Sequence, residues 1–592
     1  MDSDNVDLLY GPYIHLPKGN YTVTVVYQCD SDQSAHPFAA NGKDAFIRGD
    51  SFILDKNLNS VTCDFKTTED LDNFELVVNY NRQGSFTISG ITITTNHNGA
   101  KQGILWLLFV FLAFDGILVF RRLPEESKNI VLGIIGITFV SSLPLLYKGM
   151  AAGHDLLFHL SRMEGMFKEL MLGHFPVRMQ SAWLSGYGYP VSNYYGDLLL
   201  YIPAILRVFG VPIVIAYKLF ILFINALTAA IAYFSFSRIF GSHKGLGLLL
   251  SLVYTTSIYR FSDLYVRAAV GEYSALSFFP LVAFAFWRIY TSNRLLKEQQ
   301  IKYAIILAIG MTGIVYSHVL SVEMAAFILA VLSIVLIKKT IRLDTLKSLV
   351  LSAIVCILLS AAFLVPFLDS YLNDSVLINK IVDSGPQLIQ ENGSFISDFF
   401  TFFRWQPFGS GRDWMSAPGL ILMSGLVISI YLWAMHRADL QMKILTACSC
   451  VTLFMATNLF PWNSFALHSK FGNMLAQVQF PWRYIAFSCL FLCMLLGKVV
   501  LAFERDGLLS VKDVGGISGK HLYYRICTCI SVIAVIMPLF YLSEYVTLNG
   551  TYVVNYRDTA ELGSHNVSGE EYALYDKISD TVSDLDNTPV MK

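Results

Sequence analysis

A chain of 592 residues that is 54% hydrophobic and 14% aromatic, with only 15% charged residues, is not an ordinary soluble protein, which would carry about 25% charged residues. Its 43 basic and 44 acidic residues nearly cancel to a net charge of −1, so no basic field points to nucleic acid. The composition reads as a polytopic membrane protein.

Residues 1–100 are of a different kind. YTVTVVY (21–27), FELVVNY (74–80) and SFTISGITITT (85–95) are rich in β-branched and aromatic residues, and partly alternate. The opening GPYIHLPKGNYTVTVVY reads as a strand, a Pro-Lys-Gly-Asn turn and a second strand. Together these segments predict an antiparallel β-sandwich of about 100 residues, similar in pattern to the jelly-roll modules that bind carbohydrate. Of the nine cysteines, only Cys29 and Cys63 lie in this water-soluble region. They are candidates for one disulfide if the domain is extracytoplasmic. The others sit in apolar runs, at no metal-ligand spacing, and read as small buried residues.

From Gly103 the apolar runs predict about twelve membrane-spanning helices. They lie near 103–120, 130–147, 212–237, 245–259, 273–290, 302–318, 320–337, 346–367, 419–435, 443–459, 482–502 and 524–542. GDLLLYIPAILRVF (196–209) is too short, is broken by Pro203, and reads as interfacial or re-entrant. Lys and Arg concentrate in alternate loops: Arg121, Arg122 and Lys128; Arg238 and Lys244; Arg288 to Lys302; Lys338 to Lys347; Arg437 and Lys443; Arg505 to Arg525. These loops are predicted to face the cytoplasm of a plasma-membrane protein. The β domain, the loop after the second span, the segments 368–418 and 460–481, and the C-terminal tail then lie outside. The organisation expected is an extracytoplasmic β-sandwich over 1–100, a first transmembrane helix and cytoplasmic linker over 101–128, a multi-helix membrane domain over 129–542, and an extracytoplasmic tail over 543–592. MDSDNVDLLYGPY has neither the basic nor the apolar region of a signal peptide. Either a helix precedes this start, the favoured reading, or the first span translocates the domain.

The outer segments carry the residues capable of chemistry. GHDLLFHLSRMEGM (153–166) concentrates His154, Asp155, His159, Arg162 and Glu164 just outside a span that has no charge. As a helix it puts Asp155, His159 and Arg162 on one face. The plain alternative is a solvated interfacial helix. The same loop holds Trp183 and, after a turn at Gly186, Gly188 and Pro190, the pair Tyr194 and Tyr195. Arg267 and Glu272 in YVRAAVGE stand at the membrane boundary, where a charge is costly without a task, or else simply pair with each other. His318 in YSHVLS and Arg483 in QFPWRYIAF are also expected on this side. Their simpler readings are a satisfied helix-end histidine and an arginine that snorkels to the interface. Four such elements on one face of the membrane predict a shared outer cavity suited to an anionic, amphipathic substrate.

The combination HDLLFHLSRMEG, GHFPVR, GYGYPVSNYY, YRFSDLYVRAAVGE, SHVLS and PWR, with VSGEEYALYD in the tail, resembles a bacterial family of polytopic membrane proteins. That family is catalogued under a 6-pyruvoyl-tetrahydropterin synthase-related membrane domain. The three-histidine zinc cluster of the pterin synthase has no counterpart here, so pterin chemistry is not expected. The family in turn resembles the GT-C glycosyltransferases, which have many helices and a large first outer loop with an acidic residue near its start. They draw sugars from polyprenyl-phosphate donors. Asp155 holds the matching place.

The resemblance implies a GT-C-like fold and transfer of a sugar from a polyprenyl-phosphate donor to a glycan, lipid or protein acceptor of the cell envelope. Asp155 is then the candidate base, oriented by His154 or His159. Arg267 and Arg483 are candidates for the phosphate, with Arg162 and His318 beside them in the substrate-binding set. Glu272 would orient Arg267 or contact sugar hydroxyls, while Trp183, Tyr194 and Tyr195 would stack on a sugar ring. A divalent metal remains open, with His154, Asp155, His159, Glu272 and His318 as suitable ligands. A polysaccharide polymerase or ligase, and a transporter or flippase of lipid-linked sugars, stay open as alternatives.

Overall fold

The structure is a computed structural model. It describes residues 6–373, 386–400, 416–505, 519–549 and 551–552, with breaks at 10, 17–18, 33, 42–44, 47–53, 57, 68–70, 82, 96–97, 148, 152, 182, 184–187 and 293–295. Most of the predicted tail, with VSGEEYALYD, lies outside the described residues, as do Gly186, much of 368–418 and most of the basic loop 505–525. The chain forms two compact units, Met1–Arg122 with Phe209–Val211, and Leu123–Val208 with Pro212–Lys592.

The first unit begins with eight strands: β1 (Val6–Leu9), β2 (Pro12–Leu16), β3 (Asn20–Cys29), β4 (Ala35–Asn41), β5 (Ala45–Phe46), β6 (Ser60–Lys66), β7 (Leu71–Tyr80) and β8 (Phe86–Thr95). They make two antiparallel sheets. One runs β1-β7-β4-β5 with β2 also on β7, and the other runs β6-β3-β8. The strands flanking the predicted opening turn therefore enter different sheets; Pro17 and Lys18 of that turn lie outside the described residues. Alternation puts Val23 and Val25 of one sheet and Phe74, Leu76 and Val78 of the other into one apolar core, where Phe65 and Phe74 stack at 5.3 Å. Both Cys29 and Cys63 are free thiols, so the candidate disulfide is not formed. The register sets Cys63 opposite Val23, six residues along β3 from Cys29, a separation of about 20 Å that no disulfide can bridge. A helix, α1 (Asn98–Arg122), completes the unit.

The second unit holds α2 (Glu125–Ser141), β9 (Met150–Ala151), α3 (Leu156–Met171), α4 (Val191–Tyr194), α5 (Tyr201–Val208), α6 (Ile213–Ile239), α7 (Lys244–Thr255) and α8 (Ile258–Ser262). It continues through α9 (Val270–Leu276), α10 (Phe279–Thr291), α11 (Lys297–Val315), α12 (Val319–Val335), α13 (Ile337–Thr340) and α14 (Leu343–Asn373). After these come α15 (Leu420–Ala434), α16 (Leu440–Met455), α17 (Trp462–His468), α18 (Lys470–Ala476), α19 (Ile485–Arg505), α20 (Gly519–Asn549) and the strand β10 (Thr551–Tyr552).

Among the described residues, six stretches are long and apolar enough to cross a membrane: Gly103–Arg122, Ile213–Ile239, Val270–Thr291, Leu343–Asn373, Pro481–Phe503 and Tyr524–Thr547. The chain is a multi-pass membrane protein. The other six predicted spans coincide with α2, α7, α11, α12, α15 and α16, but these have between 12 residues (α7) and 19 residues (α11). Several stop early where loops fold into the bundle. Pro144 turns the chain after α2, and α7 gives way to α8 and a π-turn. The segment 196–209 contributes α5, whose eight residues are too short to span.

At the end of the bundle that carries the basic loops, those loops hold one another. Lys244 pairs with Glu126, Lys339 bonds the Tyr290 carbonyl, Arg342 bonds Ser292, and Lys498 pairs with Asp439. Helix α19 is the central post, almost wholly buried. A second core joins α3, α6, α8 and the end of α20. It is on this core that the outer-loop residues rest.

Candidate functional site

The site is built on residues 150–171 and 256–276. Leu156, Leu160, Met163 and Met166 recur at helical spacing and bury one face of α3 on the second core. Ahead of α3, His154 N–H donates to the Val266 carbonyl at 3.2 Å and Asp155 N–H to the Arg267 carbonyl at 2.8 Å. Gly153 makes this approach possible, since a Cβ there would come within 2.6 Å of the Ala268 Cβ. Asp155 occupies the N-cap of α3 without a side-chain capping bond and is half-buried; His154 is exposed.

The partner segment is unusual. Asp263–Arg267 forms a single π-turn, and Ala268 follows it in the left-handed region at φ 55°. Both features cost energy in a non-glycine chain and concentrate at functional sites. The turn packs four charges together. Arg267 Nη1 donates to Asp263 Oδ1 and, at 3.0 Å, to Glu272 Oε2. Its guanidinium lies 4.2 Å from the centre of the Trp482 ring. Tyr259 OH donates to Glu272 Oε1. Arg483 Nε stands 3.4 Å from Glu272 Oε2, an ion pair without hydrogen-bond geometry, while its Nη1 donates to the Val478 carbonyl and Gln479. Apart from Gln479, which is half-buried, all these side chains are buried. Burial, then the neighbouring Glu272, raise the Asp263 carboxyl well above its usual range. Burial would lower Arg267, but Glu272 and Asp263 together hold it protonated. The Asp155 carboxylate is within electrostatic range of Arg267 and Asp263.

Tyr195 joins the first loop to this ionic cluster. Its ring lies 5.7 Å from His159, 6.0 Å from His318 and 4.2 Å from the Arg162 guanidinium. It also rests on Gly271, where a Cβ would fall 2.5 Å from the ring. His318 occupies the N-cap position of α12 without a side-chain capping bond, and its Nδ1 lies 2.8 Å from the Ser321 hydroxyl. Burial, then Arg483, push its pKa down to about 3. Burial, Arg162 and His318 likewise hold His159 neutral.

The structure thus brings Asp155, His159, Tyr195, Arg267, Glu272, His318 and Arg483 into one continuous network. Three expected substrate contacts are otherwise engaged. Arg162 is fully buried and donates to the Gly196 carbonyl at 3.1 Å, so it fastens the loop from inside. Trp183 is also fully buried, bonded to Gln180 and packed on Phe158 and Tyr189, and presents no face to a sugar. Tyr194 is buried as well. Arg483 does not snorkel; it turns inward. Arg267 and Glu272 do pair with each other, yet within a larger cluster.

Sequence reasoning passed over Tyr259 and Asp263, although the spacing of Asp263 four residues before Arg267 was a visible sign. It also missed Arg260, fully buried on the neutral groups Asn225, Thr228 and the Thr255 carbonyl, and Arg207, which pairs with Glu164. Among the described residues, no three His, Cys, Asp or Glu side chains come together to hold a metal. The set proposed for one, His154, Asp155, His159, Glu272 and His318, does not fit it, and Glu272 is occupied by Arg267. Below the cluster, an apolar cavity of about 210 Å³ begins at Phe279, Ile314, Ala325 and Phe487 and extends toward Leu336 and Lys339 at the basic-loop end.

No family model matches the chain. An uncharacterized protein of Lactococcus lactis subsp. cremoris is 24% identical over 345 residues, 56% of this chain and 53% of that protein. The chain therefore spans about half the length of the curated relative it matches. Among solved structures it is similar to the Archaeoglobus fulgidus oligosaccharyltransferase in the apo form, at 13% identity and a TM-score of 0.41, covering 78% of this chain and 60% of that one. It is also similar to ArnT from Cupriavidus metallidurans bound to undecaprenyl phosphate, at 14% identity and a TM-score of 0.35, covering 74% of each chain.

Proposed function

We propose that this protein is a membrane glycosyltransferase. It moves a sugar from a polyprenyl-phosphate-linked donor to a cell-envelope acceptor on the extracytoplasmic face of the plasma membrane. The reading rests on the site and its motifs rather than on the distant structural likenesses. The observation that carries it is Asp155, half-exposed and tied by its main chain to the π-turn, while the neighbouring carboxylates Asp263 and Glu272 are committed to Arg267.

Asp155 accepts the proton of the acceptor hydroxyl as that oxygen attacks the anomeric carbon. The bond from that carbon to the phosphate oxygen breaks, and the polyprenyl phosphate leaves with its electron pair. Arg267 makes both of its carboxylate bonds through Nη1, so its Nε and Nη2 edge remains for a phosphate oxygen, with Arg483 beside it. His154, exposed next to Asp155, and Tyr195 complete the sugar-facing wall. The apolar cavity that starts four residues below Arg483, at Phe487, suits an isoprenoid chain.

The test is transfer from radiolabelled glucosyl- and mannosyl-phosphoryl polyprenol in membranes. Asp155→Asn keeps the size of the side chain and is expected to insert normally and lose roughly 10²-fold or more in rate, the scale of a lost general base. Near-normal transfer by the Asn variant removes Asp155 from the mechanism.

A further inference from the structure

We propose that the short strand after α20, Thr551–Tyr552, is a positioning element of the Asp155 site. Asp155 has no capping bond of its own to aim it, and the orientation of its segment comes from its neighbours. On one side, His154 and Asp155 hang from the carbonyls of Val266 and Arg267. On the other, β9 pairs antiparallel with β10, Ala151 opposite Thr551 and Met150 opposite Tyr552. Gly153 N–H turns back to the Ala151 carbonyl at 2.8 Å, linking the two. The chain leading into Asp155 is therefore held between the π-turn segment and a strand from the far end of the sequence.

A two-residue ladder alone is marginal. This one is anchored by burial. Tyr541, Leu542 and Tyr545 at the end of α20 are buried in the same core as Met150, Leu156, Val266 and Ala268. Helix α20 is thus a wall of the site and delivers β10 to its place. Without β10, the Met150–Ala151 edge loses its partner, and the bonds from His154 and Asp155 to the Val266 and Arg267 carbonyls are left to tie the segment to its neighbours. A displacement of about 1 Å at a reacting group can cost roughly 10²-fold in rate.

The inference rests on Asp155 being the base, and the experiment separates the two claims. Thr551→Pro and Tyr552→Pro are made one at a time in the full-length protein in lipid nanodiscs. In an antiparallel pair one of the two positions donates its N–H to the partner strand, and proline removes it. Alanine at the same positions keeps the donor. Amide hydrogen exchange over residues 150–156 is expected to rise about tenfold or more in the effective proline variant, with exchange in α6 and α19 unchanged. The alanine variants are expected to stay close to the parent. In the transfer assay the same proline variant is expected to lose about 10- to 100-fold in kcat while KM for the lipid donor stays within about twofold. Unchanged exchange in both proline variants overturns the brace. Raised exchange with unchanged kcat overturns its positioning role. If Asp155→Asn leaves transfer intact, it is the base assignment that falls, and the exchange result still decides whether β10 orders the segment.

Discussion

Glu272→Gln removes one negative charge from a place where two guanidiniums face it. The carboxylate accepts from Arg267 at 3.0 Å, lies 3.4 Å from Arg483 Nε, and takes the Tyr259 hydroxyl bond, all at 1% exposure. Glutamine keeps the volume and the tyrosine bond. After the change Arg267 retains Asp263, but Arg483 loses its ion pair and keeps the Val478 carbonyl, Gln479 and the rings of Phe480 and Trp482. A buried cation left without its carboxylate costs about 3–5 kcal/mol. Unfolding of the purified protein by SDS in mixed micelles, followed by tryptophan fluorescence, measures the loss. Glu272→Gln combined with Arg483→Met removes both charges and is expected to lose less than Glu272→Gln alone, because the orphaned cation goes with its partner. A loss below about 1 kcal/mol for the single variant, or a double variant worse than the single, refutes the reasoning.

Gly271→Ala puts a methyl group 2.5 Å from the Tyr195 ring and 2.8 Å from the Ser317 carbonyl. Overpacking of this kind is expected to cost about 1–3 kcal/mol and, through Tyr195, to lower transfer, both measured on the same preparation. His318 gives a pH dependence whose sign follows from its burial. Its folded pKa of about 3 lies below the ordinary 6.5, so the unfolded chain takes up a proton that the folded one refuses. Its stability contribution is complete above pH 6.5 and is lost as pH falls toward 3. His318→Gln should flatten that part of the unfolding midpoint against pH.

Apolar runs and basic loops made the membrane class and the positions of the helices legible, because lipid imposes a composition that needs no tertiary knowledge. The Lys and Arg distribution led to the expectation that the four candidate motifs share one side, and in the structure they meet around one cluster. Lengths were less legible: the run 245–259 looks continuous, yet α7 stops at Thr255 so that α8 and the π-turn can fold inward. The roles of Arg162 and Trp183 could not be read, because which side of a loop faces the interior depends on contacts with Gly196 and Gln180 that no periodicity encodes. The same holds for Asp263, which reaches Arg267 within a π-turn that composition does not announce. In the β domain the strands themselves were readable from alternation, whereas the pairing of β1, β2 and β4 all with β7 is a long-range choice.

The braced segment before α3 also sets a timetable for biosynthesis. Asp155 is made 397 residues before Tyr552, and at about 5–20 residues per second the ribosome takes roughly 20–80 s to cover that interval. During it, the carboxylate and the histidines around it wait at the membrane boundary with half of their setting missing. Arg267 is safe early, because Asp263 and Glu272 arrive within a few residues of it. Arg483 reaches Glu272 only 211 residues later. The cluster therefore neutralises itself locally first and is enclosed last, so a ribosome-bound chain stalled before α20 would have the Arg267 ion pairs formed while the Asp155 segment still lacked its β10 partner.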